Sequence, residues 1–226
     1  MMKRENNLLF KLSEWFMNFS VTNMCWFIFN LPIVILVINI LFTEESDHVL
    51  RVSLLLIVST PFMFFPATTA MFALAREWIL NQEQDSLIKT YLRFYKENYK
   101  KSVFGGFIIT GMWVIWIVNF YYVKDVSTIL MFAVLILGLV LYVFTIHFFS
   151  VSVHYQEKLL ILIRNAFLLT VGSPVLFFVI LITNGLLFYI SLNGFIMFVP
   201  FFTGSLIAFI SFSAFYRLYL NVMEKK

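Results

Sequence analysis

Residues 61–102 read PFMFFPATTAMFALAREWILNQEQDSLIKTYLRFYKENYKKS, and the fold turns on this stretch. Its first part closes an apolar segment. Pro66-Ala67-Thr68-Thr69-Ala70-Met71 sets small residues at spacings that let another helix approach closely, and Arg76, Glu77 and Trp78 mark where that helix leaves hydrocarbon. Its second part is amphipathic. Leu87, Ile88, Tyr91, Leu92, Tyr95 and Tyr99 recur at helical spacing, while Lys89, Arg93, Lys96, Lys100 and Lys101 point elsewhere. That pattern predicts a helix along a membrane surface within residues 76–102, ending where the next apolar segment begins at Val103.

Composition carries this reading to the whole chain. Of 226 residues 62% are hydrophobic and only 12% charged, with 29 Phe and a mean hydropathy of +0.92. A soluble domain carries about 25% charged residues, so most of this surface must face lipid. The lone Cys25 excludes an internal disulfide, and one Cys with three His cannot build a Cys/His zinc site of the usual spacing. The net charge of +4 reflects where cations must sit beside a bilayer and points to no nucleic-acid partner.

The chain reads as one integral membrane domain over residues 1–226, an all-α helical bundle with six transmembrane helices plus a cytoplasmic-side amphipathic helix. The spans fall at about 21–42, 49–75, 103–123, 127–151, 167–190 and 195–216. Residues 1–20 carry Leu8, Leu12, Trp15, Phe16 and Phe19 on one stripe, which fits either an interfacial N-terminal helix or an extension of the first span. Fourteen of the 16 Lys and Arg lie in the two tails and in the segments after the second and fourth spans. The positive-inside rule then places both termini in the cytoplasm. Tyr121, Tyr122 and Tyr189 at one set of ends, with Trp78, Tyr99, Tyr216 and Tyr219 at the other, fit aromatic belts.

Within the membrane, Pro61 and Pro66 in the second span each lack a backbone donor, which predicts a kink or a cavity-lining break. Gly105, Gly106 and Gly111 should allow close packing of the third span. A polar path near the prolines would draw on Asn30, Thr60, Thr68 and His147. Each has a plainer reading as a packed, hydrogen-bonded side chain. No Lys, Arg, Asp or Glu sits deep in any span, which removes the usual means of ion coupling. Motifs for nucleotide, zinc or nucleophilic chemistry are missing, as is the Glu-Ala-Ala-x-x-x-Gly loop through which ABC permeases engage their ATPase. No catalytic, cofactor-binding or metal-ligating residue is assigned, and the expectation is a protein that is not an enzyme.

FFPATTAMFALAREW followed by FYKENYKKSVFGG resembles the signature of the YesL family of bacterial integral membrane proteins of unknown function. The resemblance rests on Pro66, Ala67, Thr68, Ala70, Arg76 and Trp78 and on the Tyr-Lys-x-Asn-Tyr-Lys element. Members are often encoded beside carbohydrate-uptake ABC transporters and polysaccharide-degrading enzymes. The resemblance therefore implies a non-enzymatic accessory component of carbohydrate uptake, with ABC transporter components as partners. The basic residues Lys89, Arg93, Lys96, Lys100 and Lys101 fit either a face that enforces orientation and rests on anionic lipid or one that docks a partner. A small-solute facilitator or channel is the alternative.

Overall fold

A computed structural model describes residues 2–82, 86–194 and 197–224, with side chains from Phe10 onward. Among these residues the chain is helical with no strand: α1 (Met2–Phe29), α2 (Leu31–Leu41), α3 (Ser46–Ile79), α4 (Leu87–Val123), α5 (Thr128–His154), α6 (Leu159–Gly172), α7 (Pro174–Asn193), a π-helical turn (Val199–Thr203) and α8 (Gly204–Met223). The side chains of Lys3, Arg4 and Leu8, the predicted start of the sixth span at Phe195, and Lys225 and Lys226 lie outside the described residues.

Five helices are long and apolar enough to cross a membrane, and α1 with α2 makes a sixth crossing if that bent pair counts as one span. The protein is a multi-pass membrane protein built as an all-α bundle. α3 and α4, of 34 and 37 residues, extend on the order of 50 Å at 1.5 Å per residue, well beyond a hydrocarbon core of about 30 Å.

Packing is concentrated at the end where α3 finishes and α4 begins, the end richest in Lys and Arg. Eleven consecutive residues of α3, Phe65 to Ala75, are buried. Alanine and threonine make that possible, because a helix studded with small side chains can be surrounded on every face. Val143 to Ser152 of α5 and Ser205, Ala208, Ser211 and Phe212 of α8 close around it. Toward the far end the side chains are largely exposed, including Ile115, Ile117, Tyr121, Tyr122, Ile129 and Tyr189. These form the lipid-facing half.

The structure moves several predicted boundaries. α3 runs unbroken through Pro61 and Pro66. The irregular point lies instead at Asn30, where α1 and α2 meet at 66° and Pro32 occupies the first turn of α2. Proline is tolerated there because the first N–H groups of a helix have no intrahelical acceptor. Ser59 and Thr60, beside the first proline, donate to Leu55 O and Leu56 O of the same helix. α1 is continuous from Met2, which is the extension reading of the N-terminus. The predicted fifth span divides at Gly172-Ser173-Pro174, leaving α6 as a separate short helix against α5 and α7 as a 20-residue helix.

The amphipathic segment also differs from a surface helix. Residues 87–102 are the opening turns of α4 and are built into the bundle. Tyr91 is fully buried and donates its hydroxyl to Ala67 O at 2.9 Å, while Ser102 donates to Thr69 Oγ1 at 2.9 Å. Positions 91 and 102 lie about 16 Å apart along α4 yet reach almost the same point of α3, so α4 crosses α3 obliquely. Close approach follows from Gly105 and Gly106. A Cβ on Gly106 would stand 2.8 Å from Phe65 Cγ and 3.0 Å from Pro61 Cα, and one on Gly105 would strike the Phe148 ring. Gly111, expected to serve the same purpose, has no neighbour within 4 Å of such a Cβ.

Candidate functional site

Two features at this crossing bear on function: the outer face of α4 and a cavity beyond it. Lys89, Arg93, Lys96 and Lys100 recur every three or four residues, which brings them onto one helical face about 16 Å long. All four are exposed. Arg93 is partly engaged, with its guanidinium 3.4 Å from the nearly buried carboxylate of Glu77 and 4.0 Å from that of Glu97. Lys101 does not join this face. It turns inward and donates to Ser152 O and Tyr155 O at 3.2 and 3.0 Å, placing a cation on the last carbonyls of α5. On its inner side the same stretch is fixed by Tyr91 and by Phe29, whose ring lies 4.5 Å from that of Tyr95.

The family-motif residues form the core rather than a site. Pro66, Ala67, Thr68 and Ala70 are buried in α3, and Trp78 packs against Trp15 and Phe19 of α1 with ring centroids 6.3 and 5.5 Å away. Arg76 sits in the last turn of α3, its Nε buried without a hydrogen-bond partner among the described residues.

The cavity, of about 530 Å³, runs between α1, α3, α4, α5, α7 and α8. Leu56, Ile57, Val114, Ile117 and Phe188 line it toward the lipid-facing half, and Phe65, Met71, Phe72 and Phe149 line it toward the packed end. There it is stopped by aromatic packing: Phe149 lies 5.4 Å from both Phe65 and Phe72, stacked on the latter. Most polar groups in the wall are satisfied by the protein. Trp26 Nε1 donates to Thr68 Oγ1, Trp113 Nε1 to Thr145 Oγ1, and Thr60 and Thr145 donate to carbonyls in their own helices. The hydroxyls of Thr110 and Tyr142 are buried without a hydrogen-bond partner among the described residues.

Of the residues suggested for a polar path, Thr60 and Thr68 line this cavity, whereas Asn30 and His147 do not. Asn30 donates to Trp26 O in its own helix. His147 is fully buried with Nδ1 2.9 Å from Thr170 Oγ1. Because the Thr170 hydroxyl already donates to Ala166 O, it accepts from Nδ1–H of His147, which fixes the imidazole as a packing element between α5 and α6. No group of three His, Cys, Asp or Glu that could hold a metal ion occurs among the described residues.

Sequence reasoning passed over Asn23. It is fully buried, donates from Nδ2 to Val199 O at 2.9 Å and accepts from Ser205 N–H at 2.9 Å, so one side chain bridges the two ends of the π-helical turn. Val199 and Thr203 of that turn also line the cavity. Pro200 was the available signal, since a proline inside a span removes a ladder donor and favours local rewinding.

Residues 19–120 match the sequence model of a family described as "Protein of unknown function, DUF624". The chain is similar over 221 residues, at 26% identity, to "Uncharacterized protein YteU" of Bacillus subtilis (strain 168), covering 96% of this chain and 87% of that protein. It is also 29% identical over 133 residues to "Uncharacterized protein YesV" of the same organism, covering 57% of this chain and 64% of the relative. No solved structure matches. The family match covers α2, α3 and nearly all of α4, and therefore both the basic face and the α3–α4 crossing.

Proposed function

We propose that the protein is a non-enzymatic accessory component of a carbohydrate-uptake system in the bacterial cell membrane, docking its partner through the basic face of α4. The observation that carries this reading is a stripe of four exposed cations on a helix whose opposite side is locked into the core by Tyr91 and Ser102. A face held this rigidly loses little conformational entropy on binding. The link to carbohydrate uptake rests on the resemblance of residues 64–78 and 94–106 to the YesL family, and the partners it implies are ABC transporter components. By the distribution of Lys and Arg, the basic end and both termini face the cytoplasm.

The facilitator reading has weaker support. The cavity meets an aromatic floor, and Asn30 and His147 lie outside its wall.

The test is affinity purification from the native membrane after light crosslinking, comparing the natural chain with Lys89→Gln/Arg93→Gln/Lys96→Gln/Lys100→Gln. The natural chain should bring down sugar-transporter subunits in near-stoichiometric amounts, and the variant should insert normally yet lose them. Unchanged recovery by the variant would remove the docking face from the account, and recovery of the natural chain alone would remove the accessory role.

A further inference from the structure

The cavity has no part in the docking proposal, and its shape and wall chemistry identify an occupant of their own. Along α3 its lining extends from Leu56 to Phe72, about 24 Å at 1.5 Å per residue. Along α4 and α5 the lining is shorter, Thr110 to Ile117 and Tyr142 to Phe149, about 10 Å each, and the cavity opens toward the lipid-facing half at Ile117 and Phe188. Three fillings can be weighed. Left empty, the cavity would leave its apolar wall without contact partners. A column of water would need about three hydrogen bonds per molecule, and among the described residues the wall leaves the hydroxyls of Thr110 and Tyr142 without a partner, too few to hold one. Hydrocarbon asks for no hydrogen bonds and is the medium around the exposed outer turns of α3 and α4, where Leu54, Leu55, Ile115 and Val118 face outward.

We propose that this apolar cavity is a binding site for one hydrocarbon chain of a membrane lipid. The chain enters between α3 and α4 near Ile57 and Ile117, and its methyl end rests against the Phe65, Phe72 and Phe149 floor. The head group stays outside, so the site selects for chain length and unbranched shape rather than head-group charge. Trp26 and Thr68, tied by their 3.0 Å hydrogen bond, keep α1 against the cavity wall.

The experiment uses the full chain in vesicles containing phosphatidylglycerol with a photoactivatable diazirine near the methyl end of one acyl chain. Adducts are then mapped by peptide mass spectrometry. A lipid lying against the outside of the bundle can reach Phe107, Ile115 or Val118, but not the floor residues, which have almost no outward exposure. Adducts on Phe65, Phe72 or Phe149 at a yield at least equal to those on Val118 are expected. Adducts confined to the outward residues would overturn the proposal. A plugged variant, Thr110→Phe, should lower the floor adducts at least fivefold while leaving the Val118 adducts unchanged, with Val114→Trp as a second plug should the first fail to fold. Floor adducts that persist in a folded plugged variant would equally refute the route.

Discussion

Replacing Gly106 by alanine tests the α3–α4 crossing at its tightest point. The added Cβ would meet Phe65 Cγ at 2.8 Å and the Pro61 Cα at 3.0 Å. The second contact is with backbone, so a side-chain rotation cannot relieve it and α4 must move away from α3. Overpacking of this kind costs about 1–3 kcal/mol, and the better helix propensity of alanine returns at most about 1 kcal/mol. The net loss of about 1–2 kcal/mol corresponds to a fall in Tm of about 2–8 °C for a chain of this length. Gly111→Ala, five residues further along the same helix, is the internal control. A Cβ there meets nothing within 4 Å, so only the propensity gain of up to about 1 kcal/mol applies and Tm should stay or rise slightly. Thermal unfolding of both variants in the same detergent, followed by tryptophan fluorescence, reads the difference. Equal shifts for the two glycines, or a neutral Gly106→Ala, would refute the crossing geometry.

Three further outcomes follow from the packed end. Asn23→Ala takes the side-chain acceptor from the buried Ser205 N–H and one donor from Val199 O, so it should cost about 1–3 kcal/mol in unfolding by a denaturing detergent. Tyr91→Phe removes one buried hydrogen bond to Ala67 O and should cost about 0.5–1.5 kcal/mol in the same assay, with no loss of insertion. Lys101→Met should destabilise measurably by freeing Ser152 O and Tyr155 O, whereas Lys96→Met, on the exposed face, should leave stability unchanged within about 0.5 kcal/mol.

What the sequence revealed depended on whether the signal was local. The small residues from Pro66 to Ala75 and the pair Gly105 and Gly106 marked the core because close helix approach needs small side chains wherever it occurs. Gly111 carried the same signal without the neighbour, since a glycine records permission and not contact. Prolines behaved alike: Pro32, Pro61, Pro66 and Pro200 each lack a donor, but only packing decides whether the helix continues, as at Pro61 and Pro66, or breaks and rewinds, as beside Pro32 and Pro200. The amphipathic period of residues 87–101 gave the exposed cations correctly, yet Lys101 and Tyr91 left the surface because α3 and α5 offered carbonyls to them. Hydropathy could not divide α6 from α7, both being apolar, although Gly172-Ser173-Pro174 was a readable stop. Of the cavity only Thr60 and Thr68, beside the prolines, were legible, the rest of its wall being assembled from segments far apart in the chain.

The central claim is that the exposed cations of α4 touch a transporter partner, and site-specific photocrosslinking in living cells tests it most directly. A benzophenone amino acid placed at Lys96 should give one discrete adduct containing a sugar-transporter subunit, and the same group at the lipid-facing Val118 should give none. A folded, normally expressed protein that yields no protein adduct from position 96, or the same adduct from both positions, would contradict the account.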